Sequence, residues 1–355
     1  LEQQALIDSG LDRKTRCISA GSELTKVSMA AAKSSPQVAA FTRTLQPIQT
    51  ACGTKNGPSI MAYTVAALHK SAHNVVLDDR KDAFPSLHRQ AILDEVEKHI
   101  PAATSLINLS YALPSPVFFL IRESGKWVAH ILWSEEGLRQ GSVWGNLLYC
   151  TTIKSKLDTL ASKFPNVVIK AQVDDITKSF GPPHDGDWHK HWRMIRDFLT
   201  LEDELFTQIG QHRHPDKCYL VLAPGAPDPG TLFDINGIKR KVVTGGVSSG
   251  IPFGADSYVR AFINDKARQE ANKLLSITTL VEHEPHVAML IASKCIKSSM
   301  AYHWGGVPPR LCQEAYSILD AAAQQLREAI LNPENSVAPD CCTERKQLAH
   351  DLLCL

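Results

Sequence analysis

The sequence lacks several features that would identify a common protein class, and each absence excludes something. Its 38 Lys and Arg balance 37 Asp and Glu over 355 residues, so the formal net charge is only +1. That value neither requires nor excludes a polyanionic partner. The longest apolar runs, such as residues 287–292, are far shorter than the roughly 20 residues of a transmembrane helix. Neither a G-x-x-x-x-G-K-[ST] phosphate loop nor a G-x-G-x-x-G dinucleotide fingerprint occurs.

The nine cysteines show no spacing typical of a disulfide framework or a zinc site. No C-x-x-C occurs, and Cys341 is directly followed by Cys342. Free thiols in a reducing compartment are the better interpretation. The chain starts at Leu1 with no charged-then-apolar signal pattern. We therefore expect an intracellular protein, cytoplasmic or nuclear, that is a piece of a longer polypeptide.

The composition is that of a globular protein with a real core, since 44% of residues are hydrophobic and 21% are charged. Strand patterns concentrate in the middle of the chain, and helical patterns dominate both ends. Strands are predicted at 74–79, 117–122, 127–133, 167–176 and 218–222, with a short hairpin at 232–243. Helices are predicted within 1–70, at 86–100 with Ser86 as N-cap, at 147–160, at 189–209 and from 254 to about 331.

Two of the predicted strands end in adjacent carboxylates, Asp78 with Asp79 and Asp174 with Asp175. Charged residues are rarely buried unless they are paired or bind a metal. If the strands are neighbours, three or four carboxylates meet and require cations, and oxygen ligands suit Mg²⁺ or Mn²⁺. Two such ions about 4 Å apart support displacement at phosphorus. The simpler alternative is that each pair caps a strand or the following helix.

Four segments then resemble, in the same order, the sequence motifs of reverse transcriptases. Residues 79–84 (DRKDAF) resemble motif A, and residues 137–145 (GLRQGSVWG) resemble motif B. Residues 172–175 (QVDD) resemble motif C, and residues 214–218 (HPDKC) resemble the lysine-bearing motif D. Weaker matches to non-LTR retroelements extend the resemblance over roughly residues 14–330, at 16–19, 45–57, 250–259 and 307–309.

The resemblance implies an α+β fold of the right-hand polymerase type. Fingers would comprise residues 1–73, and a palm with an antiparallel sheet would comprise 74–245, with a fingers insertion at 86–133. A helical thumb at 246–332 and a tail at 333–355 would follow.

The implied activity is that of an RNA-directed DNA polymerase of a non-LTR retrotransposon-like element. It would add dNTPs to a primer 3′-hydroxyl on an RNA or DNA template, using two Mg²⁺ ions, with Mn²⁺ as a possible substitute. Its partners would be the RNA template, the DNA primer, dNTPs and other domains of a parent polypeptide, with no membrane.

The resemblance also assigns roles to individual residues. Asp79, Asp174 and Asp175 would bind the metal ions, and Lys217 would donate a proton to pyrophosphate. The residues implied in nucleotide binding are Arg16, Arg80, Lys81, Phe84, Gln140 and Gly141. Lys239, Arg240 and Lys241 would contact primer phosphates, although lysines also protect an edge strand.

By the same resemblance, Phe84 predicts DNA rather than RNA synthesis. A bulky ring five residues after Asp79 can exclude the 2′-hydroxyl of an incoming ribonucleotide. Its alternative is an ordinary core phenylalanine. Phe84 also counts against a related RNA-templated RNA polymerase. The remaining alternative is a catalytically decayed or domesticated copy that acts as a nucleic-acid or protein binding module. Two departures from the family pattern favour it, Gln172 and the 142–144 run (SVW).

Overall fold

The computed structural model describes residues 23–235, 237–281, 283–296 and 299–331. Arg16 and the predicted tail at 333–355 lie outside the described residues. In the described part the fold is mixed helix and sheet. The helices are α1 Glu23–Lys33, α2 Pro36–Thr44, α3 Gly57–Lys70, α4 Arg89–His99, α5 Thr104–Tyr111, α6 Gly145–Lys163, α7 Trp188–Thr207, α8 Asp256–Ser276, α9 Thr278–Val281, α10 Pro285–Ile291, α11 Ala301–Gly306 and α12 Gln313–Leu331. The strands are β1 Asn74–Lys81, β2 Ser115–Glu123, β3 Lys126–Ser134, β4 Val167–Gln172, β5 Asp175–Phe180, β6 His212–Val221, β7 Asp234–Ile235, β8 Ile238–Lys239, β9 Lys241–Val243, β10 Gly245–Ser248 and β11 Ile251–Gly254.

A five-stranded sheet in the order β4-β5-β1-β6-β9 forms the centre of the molecule. Its pairs are antiparallel except β6 with β9. Because side chains alternate across a strand, consecutive residues of β1 serve different cores. Val76 joins the large cluster that includes α6 and α7, while Val75 packs with Met61 and Val65 of α3. The sheet is therefore covered by helices on both faces.

Most predicted elements are confirmed, with two informative differences. The single strand predicted at 167–176 is two strands, β4 and β5, which pair as a hairpin between Gln172 and Asp175. The helix predicted to begin at Ser86 begins at Arg89 instead. The Ser86 hydroxyl accepts a hydrogen bond from the Gln211 side chain, so a distant contact uses the group that would have capped the helix.

The C-terminal helices have their own cores. Helices α8 and α12 pack together through two groups of buried residues. The first contains Val259, Ile263, Ala267 and Ala315, and the second contains Ala271, Leu274, Ala322 and Leu326.

The β2–β3 hairpin presents one apolar face to solvent. Register pairs Phe118 with Ile131 and Pro116 with Trp133. The side chains of Phe118, Leu120, Trp127, Ile131 and Trp133 are all more than half exposed.

Within the described residues, no helix combines the length and the apolar character needed to cross a bilayer.

Cys52, Cys150, Cys218 and Cys312 are free thiols, as predicted.

A cluster of buried charges fills the space between the sheet and α7. Its buried members are Asp78 and Arg80 of β1, Lys178 of β5, Glu202 of α7, Arg213 of β6, and Arg240. The partly buried Asp203 of α7 pairs with Arg213 at its edge. Glu202 lies on the buried face of α7, in helical register with Ile195, Phe198 and Phe206. The helix therefore directs a carboxylate at the basic side chains of three strands.

The ion pairs in this cluster are close. Glu202 Oε1 lies 2.5 Å from Arg80 Nη2 and 3.0 Å from Lys178 Nζ, and Glu202 Oε2 lies 2.7 Å from Arg213 Nη2. Asp78 Oδ2 lies 3.1 Å from Lys178 Nζ and also pairs with Arg213. Burial alone would raise the pKa of Glu202, but the charges of Arg213, Lys178 and Arg80 lower it to about 2. The carboxylates are therefore ionised inside the protein.

Glu202→Gln should lower the free energy of unfolding by about 3–5 kcal/mol, because losing one partner of a buried ion pair leaves uncompensated charge. Urea unfolding measures this effect. Asp185→Asn is the matched control, since Asp185 and its partner Lys190 are exposed. The control should leave stability nearly unchanged, and an equally small effect of Glu202→Gln would contradict the prediction.

Candidate active site

The end of β1 lies beside the β4–β5 hairpin, as the sequence argument required. Strand β1 pairs with β5, with Asp78 opposite Ile176. The pairing of β1 with β6 shifts register between Asp78 and Arg80, which marks an irregularity or bulge at Asp79. Bulges redirect side chains next to functional sites. Asp78 and Arg80 both lie in the interior, whereas Asp79 is partly exposed next to the hairpin.

The hairpin turn itself consists of Val173 and Asp174, because Gln172 pairs with Asp175. Val173 has φ of 60°, a region that a β-branched residue rarely adopts. Such strain persists only where surrounding contacts hold it, and it is found most often at functional sites. The turn presents Asp174 and Asp175 in succession next to Asp79.

The three carboxylates influence one another electrostatically. Desolvation, followed by the charges of Asp174 and Asp79, raises the pKa of Asp175 to about 6. By accessible area Asp175 is an exposed residue, so solvent screens part of this shift. Lys217 Nζ lies 2.6 Å from Asp79 Oδ2 and neutralises part of the cluster. Lys217 thus lies beside Asp79, and its catalytic role stays a prediction.

Whether these residues suit a metal depends on donor type and on arrangement. Three carboxylates without Cys or His are the oxygen donors that Mg²⁺ prefers. Among the described residues, however, no group of three or more His, Cys, Asp or Glu side chains is arranged to hold a metal ion. The donor chemistry fits, but the ligand cage is not preformed while Asp79 is paired with Lys217.

Phe84 connects the motif A segment to the motif B segment. Its ring stacks on Tyr149 of α6, with centroids 5.2 Å apart and planes 19° apart. Its carbonyl accepts a hydrogen bond from the amide of Leu138 at 2.8 Å. A Cβ on Gly145 would lie 3.4 Å from the ring, so a glycine there lets α6 approach closely. The ring is half-buried, so part of it remains accessible to a ligand.

Gln211 is a residue that the sequence argument missed. Its side-chain amide donates to the Ala83 carbonyl at 2.8 Å, and its oxygen accepts from the Tyr149 hydroxyl at 2.9 Å. Burial raises the pKa of Tyr149, and the charges of Asp174 and Asp79 raise it further. Gln211 therefore ties the Phe84 segment to a helix next to the carboxylates. An isolated buried Gln after a helix carries no sequence signal of such a role.

The structure bears on two of the predicted ligand contacts. The Arg80 side chain is buried, pairs with Glu202 and lies over the Phe206 ring at 4.1 Å, so it is not directed at a nucleotide. A contact of the Arg80 backbone with a triphosphate stays a prediction. The Arg240 side chain is also buried, 3.4 Å from Asp78, and cannot contact primer phosphates. Both side chains instead form ion pairs in the interior.

The remaining predicted residues lie at or near the surface. Lys81, Lys239 and Lys241 are exposed. Gln140 is partly exposed, and the adjacent Gly141 has φ of 92° and is exposed. Their ligand-binding roles stay predictions.

Comparison with models of known protein families and with curated proteins gives no match. Among solved structures, telomerase from Candida albicans in complex with a TWJ fragment of telomeric RNA is similar over 93% of this chain and 56% of that chain, with a TM-score of 0.43 and 9% identity. Telomerase from Candida tropicalis, also in complex with a TWJ fragment, covers the same shares with a TM-score of 0.38 and 10% identity. The chain thus spans about half the length of these telomerase chains. Similarity with TM-scores of 0.43 and 0.38 supports no conclusion about this chain.

The raised pKa of Asp175 predicts a specific pH dependence of stability. Its folded pKa of about 6 exceeds the roughly 3.9 of an unfolded Asp, so the folded state binds more protons between these values. The contribution of Asp175 to stability is therefore lost as pH rises through this window. Asp175→Asn should raise the melting temperature in EDTA at pH 7.5 and do so less at pH 4.5. A gain in melting temperature that is equal at both pH values would contradict the prediction.

Proposed function

We propose that this chain is an RNA-directed DNA polymerase of the right-hand type, related to non-LTR retroelements. One observation supports this most directly. The pairing of β1 with β5 brings the motif A carboxylate, Asp79, to the tight turn that carries Asp174 and Asp175. These carboxylates are over 90 residues apart in sequence, yet they share the electrostatics of one site.

The architecture is compatible with this proposal. The five-stranded sheet with α6 and α7 would be the palm, and the C-terminal helices, which have separate cores, would be the thumb. The β2–β3 hairpin and the helices before β1 would belong to the fingers.

In the proposed reaction, the chain's own residues position groups and move protons. Asp79, Asp174 and Asp175 would hold two Mg²⁺ ions, which when bound lower the pKa of the primer hydroxyl and neutralise phosphate charge. Lys217 would leave Asp79 as the carboxylates engage cations, and its ammonium would then donate a proton to the departing pyrophosphate. Its 2.6 Å pairing with Asp79 keeps it within reach of the site.

The half-buried ring of Phe84 supports selection of deoxyribonucleotides. Stacking on Tyr149 and contact with α6 fix its position, so it cannot swing away from a bulkier sugar without loss of packing. A fixed ring at the edge of a nucleotide site excludes a 2′-hydroxyl sterically.

A second candidate is a decayed or domesticated copy that keeps the fold as a binding module. The pairing of Lys217 with Asp79, and the lack of a preformed metal cage among the described residues, favour it. Against it, all three carboxylates are retained at one place, where their mutual repulsion costs stability and cations would relieve it.

Primer extension on an RNA template with dNTPs and Mg²⁺ tests the proposal. The wild type should extend the primer, and Asp174→Ala/Asp175→Ala should reduce the rate more than about 100-fold, because groups that merely support metal ligands already cost 10–100-fold. Asp158→Ala, a change at an exposed carboxylate of α6, is the control. Duplex binding without extension by the wild type would favour the binding module instead.

Phe84→Val should admit ribonucleotides. The ratio of kcat/KM for dNTP to that for rNTP should fall at least about 10-fold, the scale on which a pocket discriminates small groups sterically. Single-nucleotide addition measures both substrates on the same primer–template. A parallel loss for both nucleotides would instead indicate that Phe84 is an ordinary packing residue.

A further inference from the structure

The turn between β4 and β5, which consists of Val173 and Asp174, lies against residues 48–50 from the N-terminal part of the chain. Residues 48–50 run beside β4 as a short parallel bridge. The Ala171 amide donates to the Ile48 carbonyl at 2.8 Å, and the Thr50 amide donates to the Ala171 carbonyl at 2.8 Å. This bridge ends where the β4–β5 turn begins, so side chains of the segment can reach the turn.

Gln49 makes that contact with both ends of its side-chain amide. Its nitrogen donates to the Val173 carbonyl at 3.1 Å, and its oxygen accepts from the Val173 amide at 2.9 Å. The same oxygen also accepts from the amide of Ala51 at 3.3 Å. Gln49 is 2% exposed, so water does not replace these bonds easily when they are lost.

The residue that Gln49 holds is the strained one. Val173 has φ of 60°, a cost that a β-branched side chain incurs only when its surroundings enforce it. Both backbone polar groups of Val173 bond to a single side chain. The direction in which the next residue, Asp174, leaves the turn depends on that conformation.

We infer that Gln49 is a positioning residue for Asp174 and Asp175, which acts by holding Val173 in its left-handed conformation. In this role Gln49 acts through the Val173 backbone, to which it bonds. Its catalytic consequence rests on the polymerase function proposed above, whereas its effect on the turn does not.

Neighbouring contacts fix Gln49 in place. The Thr50 hydroxyl lies 2.8 Å from Gln172 Oε1 and 3.0 Å from the Ala171 carbonyl. A Cβ on Gly57 would fall 2.1 Å from the Thr50 carbonyl, so a glycine at the start of α3 lets the segment approach. The contact of Gln49 with Val173, called the Gln49 clamp below, is therefore held by the packing of its neighbours.

Gln49→Met tests the inference, because it preserves size and removes all three hydrogen bonds. Gln46→Met is the matched control. Gln46 lies in the same segment but is exposed, and its side-chain amide donates to the Thr54 hydroxyl and not to the turn. Hydrogen exchange of the Val173 amide in metal-free protein should accelerate at least about 10-fold in Gln49→Met and stay unchanged in Gln46→Met.

In primer extension, Gln49→Met should lower kcat about 10–100-fold, as expected for a group that orients ligands, with little change in KM for dNTP. Turn exchange and kcat like those of Gln46→Met would overturn the inference. If Gln49→Met accelerates exchange throughout the sheet, Gln49→Asn decides, because it keeps the amide but is one methylene short. Faster exchange confined to the turn would then support the inference, and unchanged exchange would overturn it.

The two proposals can fail separately. An inactive wild type, with Val173 exchange still dependent on Gln49, would refute the polymerase function and leave the clamp in place. An active wild type in which Gln49→Met behaves like its control would refute the clamp alone.

Discussion

The buried charge cluster between the sheet and α7 constrains the rest of the structure. Glu202 and Asp78 stay ionised in the interior only because Arg213, Lys178 and Arg80 surround them. Each strand of the central trio β5-β1-β6 contributes at least one member, so their register cannot change without breaking ion pairs. A one-residue slip would turn every side chain to the opposite face.

That register has a direct consequence for the candidate active site. Asp78 is committed to the interior by its ion pairs, and Arg80 is committed by Glu202. Asp79, between them, lies at the shift in register and reaches the surface next to the turn of β4 and β5. Strand β1 thus contributes both to the buried charge cluster and to the exposed carboxylates. The ion pairs of Asp78 and Arg80 fix the position at which Asp79 reaches the surface.

Hydrogen bonds from two residues outside the central sheet, Gln49 and Gln211, also hold the site in position. Gln211 connects the segment around Phe84 to Tyr149, and Gln49 holds the turn at Val173. Both are neutral amides that donate and accept at once, so each can bond to two groups without adding charge to a site already rich in carboxylates. The position of the carboxylates thus depends on uncharged neighbours as well as on the charged core.

Local pattern alone determined much of this protein. Apolar patterns predicted β1, the β2–β3 hairpin, α6 and α7, and carboxylates at strand ends drew attention to Asp79, Asp174 and Asp175, because those signals lie in a few consecutive residues. Lys217 was singled out by the resemblance to reverse-transcriptase motifs. Tertiary structure decided which charges are buried. Arg80 and Arg240 belong to segments predicted to contact ligands, yet their side chains are buried in ion pairs with Glu202 and Asp78, which are distant in the chain. In the folded chain Ser86 likewise does not cap a helix, because its hydroxyl accepts a hydrogen bond from Gln211. The physical reason is that desolvation and ion pairing depend on three-dimensional neighbours, which a local sequence pattern does not contain.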